Sequence, residues 1–321
     1  MDLSGSTILL TGGTGSFGNA FAERMQADWP DATLRLYSRD ELKQSEMREK
    51  LGDLQFRYLI GDVRDHDRLV RAAQGADVII HAAAMKQVPA CEYNPFEAVQ
   101  TNVIGTQNVV NAAIDAGVER VIALSTDKAV NPANLYGATK LCAEKIVVQG
   151  NTYAAQSDTR LSCVRYGNVV GSRGSVVPLF RKQIAEGRIT ITDERMTRFW
   201  ITLPQAVDLV LFALDQARGG EIFVPKIPSM KVIDLAEAMA PGSPRQVVGI
   251  RPGEKLHEIL LTADESRHAI DAGELYIVLP EQPWWEREAW PGGQHLTEGF
   301  SYTSDNNDWW LSKEELSALL R

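Results

Sequence analysis

A tyrosine and a lysine four residues apart are the first residues in this chain whose types and spacing indicate proton transfer. Tyr136 and Lys140 would lie on the same face of a helix, one turn apart. An ammonium group beside a phenol favours the phenolate, so it would lower the tyrosine pKa from its ordinary value of about 10. Such a tyrosine can take a proton from a hydroxyl group while a hydride leaves the same carbon. We predict that Tyr136 and Lys140 are catalytic residues.

A second polar cluster ends a strand-like apolar run that begins at Val121. It contains a hydroxyl (Thr126), an acid (Asp127) and a base (Lys128) in succession. In open α/β sheets ligands bind at the carboxyl ends of the strands, so this position favours a catalytic function for all three. From the residues alone, a salt bridge between Asp127 and Lys128 in an ordinary loop stays an alternative.

Three glycines near the start of the chain have a spacing typical of loops that bind dinucleotides. They follow a strand-like run, Ser6–Leu10, and open a helix-like run, Asn19–Gln26. Glycine permits a tight turn and a close approach of the backbone to a pyrophosphate at the helix N-terminus. We expect the following residues to contact a dinucleotide cofactor: Thr11, Gly12, Gly15, Ser16, Phe17 and Gly18.

The end of the second predicted strand, Thr33–Tyr37, indicates which dinucleotide is bound. NAD sites usually place an acidic residue there, which accepts a hydrogen bond from the ribose 2′-hydroxyl. This chain has Ser38 and Arg39 instead, which suit a 2′-phosphate, although Asp40 follows. The sequence therefore predicts NADP. Further cofactor contacts are expected at Asp62, Val63, Ala82, Ala83 and Ala84, together with Tyr136 and Lys140.

Strand-like and helix-like segments alternate through the first half of the chain. The strands are nearly continuous in Val, Ile and Leu, as in parallel sheets buried on both faces, and a long helix is predicted over Pro95–Ala116. This alternation predicts an α/β fold, a Rossmann-like doubly wound parallel sheet over residues 1–170, to which some later segments return. Residues 171–280 would form a smaller irregular substrate-binding lobe, and residues 281–321 a Trp-rich C-terminal tail that opens its last helix with a capping box at Ser312–Glu315.

Composition limits the classes of partner and compartment. The 321 residues include 33 Lys and Arg against 42 Asp and Glu, a net charge of −9, which argues against nucleic-acid binding but not against a basic pocket. The three cysteines show no CxxC spacing and the five histidines no metal-ligand spacing, so we expect neither disulfides nor a metal site. The sequence shows no secretion signal and no apolar run of the ~20 residues that a bilayer span needs, so we expect a cytoplasmic protein without a membrane partner.

The glycine loop, the strand end at Thr126 and the Tyr136/Lys140 pair together resemble the extended, nucleotide-sugar-modifying branch of the short-chain dehydrogenase/reductase superfamily. In that branch, simple epimerases carry small or apolar residues after the catalytic serine or threonine, whereas dehydratases carry an acid and a base. Asp127 and Lys128 match a dehydratase. A lysine that acts as the base must be neutral, and we expect burial beside another cation to remove its proton.

Six longer segments carry a narrower resemblance. They are similar to the inverting UDP-N-acetylglucosamine 4,6-dehydratases, which begin bacterial pseudaminic acid biosynthesis, and the similarity extends from residue 4 to about residue 280. The segments are Leu124–Ala129, Asn134–Lys140, Val164–Val176, Met196–Trp200, Glu221–Lys226 and Ile250–Glu258. The resemblance implies a tightly bound NADP that is regenerated in each cycle, and a homo-oligomer.

The resemblance also implies a role for each catalytic residue. Tyr136, with Lys140 and Thr126, would assist oxidation of the C4 hydroxyl to a ketone, which acidifies the C5 proton. Lys128 would remove that proton and Asp127 would protonate the leaving C6 oxygen. Hydride would return to C6 and a proton to C5 from the opposite face. The product would be a 4-keto-6-deoxy sugar of inverted C5 configuration, still attached to UDP.

The substrate would be UDP-N-acetylglucosamine, held largely by the irregular lobe. Arginine suits a diphosphate by its fork geometry and permanent charge, and a carboxylate suits ribose hydroxyls. The residues expected to bind the substrate are Lys86, Asn168, Arg173, Val176, Arg198, Arg251 and Glu254.

Other functions stay open at this point. A UDP-sugar C4 epimerase shares the cofactor loop and Tyr136, and a C5-retaining dehydratase differs only in the face from which C5 is reprotonated. A non-catalytic protein that senses NADP would usually have lost Tyr136 or Lys140, and both are present. Only the resemblance favours inversion.

Overall fold

The computed structural model describes residues 2–154, 157–172, 175–281 and 290–320. In chain order its strands are β1 (Thr7–Thr11), β2 (Thr33–Ser38), β3 (Phe56–Ile60), β4 (Val78–His81), β5 (Arg120–Thr126), β6 (Arg160–Tyr166), β7 (Asn168–Val169), β8 (Ile189–Ile191), β9 (Thr197–Ile201), β10 (Ile222–Pro225), β11 (Ser229–Lys231), β12 (Arg245–Val247), β13 (Ile259–Leu261), β14 (Ala269–Asp271), β15 (Leu275–Val278), β16 (Gln294–His295) and β17 (Tyr302–Thr303). Its helices are α1 (Ser16–Asp28), α2 (Glu41–Leu51), α3 (His66–Ala73), α4 (Val88–Tyr93), α5 (Pro95–Val99), α6 (Gly105–Asp115), α7 (Leu135–Tyr153), α8 (Val176–Ala185), α9 (Leu203–Gln216), α10 (Val232–Met239) and α11 (Lys313–Leu319).

Ten strands form one large sheet in the order β16-β14-β15-β10-β6-β5-β4-β1-β2-β3. The strands from β10 to β3 in this order are parallel, and β14, β15 and β16 extend the sheet antiparallel. The chain runs outward from β1 through β2 and β3, then crosses to β4, so the order reverses between β1 and β4. Doubly wound sheets bind ligands at the carboxyl ends of their strands beside this reversal. The predicted Rossmann-like α/β fold is confirmed.

The central strands form because their side chains are apolar on both faces and helices cover both. Leu9, Ile79 and Ile122, on three adjacent strands, are fully buried. Helix α1 packs against α9, whereas α3, α6 and α7 pack together as a second group. The predicted helix over Pro95–Ala116 is present as α5 and α6, joined by a π-helical segment, Gln100–Ile104.

The elements between β6 and α11 divide between this sheet and a smaller lobe. Strands β10, β14, β15 and β16 return to the sheet, so the chain crosses back after residue 170. The lobe has its own apolar core, which includes Phe180, Trp200 and Leu235 and to which α11 contributes Leu316. The capping box at Ser312 and Glu315 opens α11 as predicted. Two of the tryptophans of the predicted tail, Trp284 and Trp285, lie outside the described residues.

A buried ion-pair cluster joins β6 to a helix and to a turn beside the antiparallel strands of the sheet. Arg165 on β6 pairs with Glu144 of α7 at 2.8 Å and with Glu265 of the 3₁₀ turn before β14 at 2.9 Å. Removing one partner of such a cluster would leave an uncompensated buried charge, which is strongly destabilising. The arrangement therefore fixes the segment before Glu265 above the end of β6.

Among the helices in the described ranges, none has the length and apolarity needed to span a bilayer.

Candidate active site

One cavity of about 1300 Å³ opens at the carboxyl ends of β1, β2, β4, β5 and β6 and extends under the lobe. It exceeds the roughly 300–1,000 Å³ of a pocket for one drug-sized molecule, so it has room for two ligands side by side. The described residues that line it include nine Lys and Arg against four Asp and Glu. A chain of net charge −9 thus has a basic cavity suited to anionic ligands.

The glycine loop forms the floor of the cavity at one end. Gly12 has a positive φ of 70°, and a Cβ there would lie 2.8 Å from the backbone nitrogen of Ala83. No side chain caps the N-terminus of α1, whereas Asp40 and Asp65 cap α2 and α3. This geometry fits a pyrophosphate held by backbone N–H groups. The predicted residues Gly12, Gly15, Ser16 and Phe17 line the cavity.

Two predicted cofactor residues lie behind the cavity wall instead. Thr11 is fully buried and its hydroxyl contacts Nδ1 of His81 at 2.7 Å. A Cβ on Gly18 would lie 2.0 Å from the carbonyl oxygen of Gly13, so glycine is needed there for helix packing. Thr11 and Gly18 thus support the loop from behind and do not line the cavity, and their direct contact with a cofactor stays a prediction.

The far end of the cavity carries the residues that distinguish the two dinucleotides. Ser38, Arg39 and Lys43 line it, and Arg39 pairs with Asp62 at 3.4 Å. Asp40 accepts a hydrogen bond from the backbone N–H of Lys43 at 3.0 Å, so its carboxylate is engaged as the cap of α2. Two cations and a hydroxyl suit a 2′-phosphate. The other predicted contacts, at Val63, Ala82, Ala83 and Ala84, also line this half of the cavity.

Tyr136 and Lys140 line the middle of the cavity, near the end of β5. The Lys140 ammonium donates a hydrogen bond to the Leu124 carbonyl at 2.8 Å, and burial lowers its pKa below the ordinary value. Burial raises the pKa of Tyr136 to about 12, although the Lys128 ammonium opposes the rise. The expected depression of the Tyr136 pKa by its helix neighbour is therefore wrong for this structure, because desolvation of the phenolate outweighs the nearby positive charge.

Asp127 and Lys128 are joined in the 3₁₀ turn that follows β5. The Lys128 ammonium donates to Oδ1 of Asp127 at 3.0 Å and to Oδ1 of Asn168 at 3.2 Å, and the Thr126 hydroxyl donates to the same Asp127 oxygen at 2.8 Å. Thr126 and Lys128 line the cavity, whereas Asp127 is fully buried behind them. Oδ2 of Asp127 has no hydrogen-bond partner among the described residues.

The charge of Lys128 differs from the sequence-based expectation. Burial lowers the pKa of Lys128, but Asp127 and Glu258 together raise it above its ordinary value. The expectation of a neutral Lys128 is therefore wrong for this structure, because two carboxylates face the ammonium and outweigh its burial and the repulsion from Arg198.

Most of the predicted substrate residues line the same cavity. Lys86, Asn168, Val176, Arg198, Arg251 and Glu254 all line it, and Arg173 lies outside the described residues. Arg251 is exposed and approaches Glu254 at 3.8 Å. Arg198, by contrast, is nearly buried and donates to the carbonyls of Thr197, Leu256 and Lys255. Arg198 thus has fewer donors left for a diphosphate than Arg251 has.

Four further residues contribute to the site and were not predicted. Lys43, Lys255 and Glu258 line the cavity, and Gly137 lets α7 approach the turn that carries Lys128. Glu258 is the last residue of a segment that carries the family resemblance, which was a usable signal. Lys255 and Gly137 also lie in such segments, whereas Lys43 becomes recognisable only when α2 is placed. Within the described part of the chain, no group of three or more His, Cys, Asp and Glu residues could hold a metal ion.

Comparison with known proteins shows the family to which this chain is similar. The family model described as polysaccharide biosynthesis protein matches residues 8–280. The UDP-N-acetylglucosamine 4,6-dehydratase (inverting) of Campylobacter jejuni subsp. jejuni serotype O:23/36 (strain 81-176) is 50% identical over 98% of this chain and 96% of its own. The UDP-glucose 4-epimerase of Rickettsia akari (strain Hartford) is 45% identical over 85% of this chain and 82% of its own.

A solved structure is also similar to this chain over its whole length. The X-ray structure of Pen from Bacillus thuringiensis superposes with a TM-score of 0.92 at 40% identity, and covers 100% of this chain and 98% of that one. These similarities confirm the resemblance to the inverting dehydratases that the sequence motifs indicated.

Proposed function

Because the chain belongs to the polysaccharide biosynthesis protein family, we propose that it is a UDP-N-acetylglucosamine 4,6-dehydratase that inverts C5. The observation that carries the proposal is the joined Asp127–Lys128 pair beside Tyr136 at one cavity. An acid and a base at this place are what elimination of water across C5–C6 requires.

The cavity fits an NADP cofactor. The Gly12 loop and the uncapped N-terminus of α1 would hold the pyrophosphate, and Arg39 and Lys43 the 2′-phosphate. When bound, the cofactor supplies the chemistry of accepting a hydride from C4 and returning it to C6. Since the cofactor ends each cycle in its starting form, it need not leave the protein.

Tyr136 is the group that would take the proton from the C4 hydroxyl. With a pKa of about 12 its phenol holds its proton near neutral pH, so the phenolate must be stabilised during reaction. The Lys128 ammonium already acts in that direction. Thr126, which borders the cavity, would orient the same sugar hydroxyl.

The Asp127–Lys128 pair holds the one proton that elimination needs. An ammonium with a carboxylate and a neutral amine with a carboxylic acid contain the same number of protons. Transfer across the 3.0 Å hydrogen bond converts the first form into the second. Lys128 can then take the C5 proton, and the acid proton can reach the leaving C6 oxygen through the Thr126 hydroxyl, which bridges Asp127 and the cavity.

The basic half of the cavity supports an anionic sugar nucleotide as the substrate. Arg251 would face the diphosphate and Glu254 the ribose hydroxyls. Three further properties are proposed from the resemblance to the inverting dehydratases and from the 50% identity to the Campylobacter enzyme. They are inversion at C5, catalysis of the first step of pseudaminic acid biosynthesis, and a homo-oligomeric assembly.

A UDP-sugar C4 epimerase is the second candidate, because the Rickettsia relative carries that name. Epimerisation at C4 needs Tyr136 and the cofactor but no acid–base pair for C5 and C6. The presence of Lys128 at the cavity, with Asp127 hydrogen-bonded directly behind it, therefore favours the dehydratase.

Mass spectrometry of the product tests the proposal. Purified protein is incubated with UDP-N-acetylglucosamine without added cofactor, and in parallel with UDP-glucose. We expect loss of one water from the N-acetylated sugar. A product of unchanged mass that separates from the substrate by chromatography and has the proton NMR couplings of the C4 epimer would instead establish the epimerase.

A further inference from the structure

Glu258 is a buried carboxylate at the cavity to which the proposed mechanism assigns no role. Its side chain is only 3% exposed, yet it lines the cavity beside Lys128. Its Oε2 has no hydrogen-bond partner among the described residues. An ionised carboxylate is costly to bury unless charges or donors compensate it, so its surroundings must supply that compensation.

Three cations from different parts of the chain surround Glu258. Oε1 lies 3.4 Å from Nζ of Lys128 and 3.7 Å from Nε of Arg198, and Oε2 lies 3.9 Å from Nζ of Lys255. Arg198 and Lys255 are fixed by backbone carbonyls, Lys255 by that of Val130. The carboxylate is thus the common counter-ion of a cluster whose other carboxylate is Asp127.

The backbone of Glu258 is fixed by the C-terminal segment. Its N–H donates to Oγ of Ser304 at 2.9 Å, and its carbonyl accepts from the Ser304 N–H at 2.8 Å. The Ser304 hydroxyl in turn contacts that of Thr197 at 2.6 Å. Because both sides of the peptide are held, the carboxylate has a fixed position relative to β9 and to the turn that carries Lys128.

Lys128 therefore lies between two carboxylates that approach it from different directions. Asp127 accepts its hydrogen bond at 3.0 Å, while Glu258 faces the ammonium at 3.4 Å. The other charged or titratable groups that face Lys128 are Arg198, Lys255 and the Tyr136 phenol. Loss of Glu258 would leave one carboxylate against the positive charge of Arg198 and Lys255.

We infer that Glu258 is a positioning residue that holds the Lys128 ammonium against Asp127 in the geometry for proton exchange. Its part in catalysis rests on the proposed dehydratase function. In the step it serves, the proton on Nζ of Lys128 moves to Oδ1 of Asp127, while Glu258 stays ionised and neither gains nor loses a proton. Its charge keeps Lys128 protonated until that transfer occurs.

Competitive labelling with acetic anhydride measures the fraction of Lys128 that is neutral, because only the neutral amine reacts. The measurement needs no turnover. Glu258→Gln keeps the shape but removes the charge, and an opposite charge at this distance shifts a pKa by about 1–3 units. Labelling of Lys128 near pH 8 should therefore rise roughly 10-fold or more, relative to the exposed Lys145 as internal reference. In turnover, kcat should fall roughly 10- to 100-fold, a part of what a positioned acid–base pair contributes, with a much smaller change in KM.

Glu265→Gln is the matched control, because it removes a largely buried carboxylate that pairs with Arg165 rather than with Lys128. It should lower stability and leave the labelling of Lys128 unchanged. If Glu258→Gln does not fold, Glu258→Asp decides, since its shorter side chain must raise labelling and lower kcat in the same directions. Unchanged Lys128 labelling in the folded variant overturns the inference. If the wild type shows no dehydration, the proposed function fails while the labelling result still decides the link between Glu258 and Lys128.

Discussion

At the level of single residues, the candidate site centres on the hydrogen bond from the Lys128 ammonium to Asp127. The residue types were predictable from the sequence, because an acid and a base follow a strand that ends beside the cofactor loop. The charge of Lys128 was not predictable, because Glu258 lies 130 positions away in the chain and raises the lysine pKa only in the folded protein. The same holds for Tyr136, whose pKa depends on how completely the fold buries it.

The choice between NADP and NAD is also expected to depend on single side chains. We expect Arg39→Ala and Lys43→Ala to weaken binding of NADP roughly 10-fold or more, because each removes a charge-assisted contact to the 2′-phosphate. NAD, which lacks that phosphate, should bind nearly as to the wild type. Isothermal titration of both dinucleotides, after removal of any bound cofactor, measures the two affinities.

Lys50→Ala is the control for this pair of variants. Lys50 lies on α2 with Lys43 but pairs with Glu23 outside the cavity, so its loss should alter neither affinity. Equal losses of NADP and NAD affinity in Arg39→Ala would contradict the assignment of Arg39 to the 2′-phosphate.

At the scale of elements, helix α7 sets the distance between Tyr136 and Lys128. A Cβ on Gly137 would lie 2.1 Å from the Lys128 carbonyl oxygen, so only glycine allows the helix to pack against the 3₁₀ turn. In Gly137→Ala the turn must move away from Tyr136. A misplacement of about 1 Å can cost roughly 100-fold in rate, so we expect kcat to fall by about that factor.

Gly150→Ala on the same helix is the comparison. A Cβ there would meet the ends of the Leu161 and Val110 side chains, which can move, and the site lies elsewhere. We expect it to lower the melting temperature but to leave kcat nearly unchanged. Similar kcat values in Gly137→Ala and wild type would show that α7 does not set the geometry of the pair.

A buried histidine links β1, β4 and α6. Nδ1 of His81 contacts the Thr11 hydroxyl at 2.7 Å and Nε2 the Thr106 hydroxyl at 3.0 Å. Thr106 already donates to the Asn102 carbonyl, which assigns the proton of the neutral ring to Nε2. Burial lowers the His81 pKa to about 3.

The free energy of unfolding should therefore decrease as the pH is lowered, chiefly because of His81. Because the folded pKa is about 3 and the unfolded value about 6.5, the unfolded state takes up the proton first as the pH falls below about 6.5. Between pH 7 and pH 5 this costs about 2 kcal/mol of unfolding free energy. Urea denaturation at both pH values should show that loss in the wild type and a smaller one in His81→Gln. The exposed His66→Gln should behave as the wild type, and an undiminished loss in His81→Gln would remove His81 as the cause.

Most elements of the sheet were predictable because their strands are apolar on both faces and end at glycine or polar residues. Helix α9 was not, although Thr202 and Gln205 form a capping box with Pro204 in the first turn, which was a readable signal. The π-helical segment at Gln100–Ile104 could not be read from periodicity, since it is a single turn of five residues between two α-helices and is too short to show a period of its own.

At the scale of the whole molecule, charge and topology act together. The acidic chain gathers lysines and arginines from the sheet edge and from the lobe around one cavity. Arg165 joins β6 to the turn at Glu265, and Ser304 holds the strand that follows Glu258. Local sequence patterns do not show such long-range contacts, so the sequence did not predict how the lobe contacts the sheet.

Proton NMR of wild type and Lys128→Met, incubated with UDP-N-acetylglucosamine in D₂O without added cofactor, tests the role of the Asp127–Lys128 pair. For the wild type we predict a new C6 methyl signal, deuterium at C5, and ring couplings of the inverted sugar. Lys128→Met should give no methyl signal, while Lys145→Met, altered on the exposed face of α7, should match the wild type. A wild type that yields only the C4 epimer, or a Lys128→Met variant that dehydrates unimpaired, would contradict the central role of the Asp127–Lys128 pair.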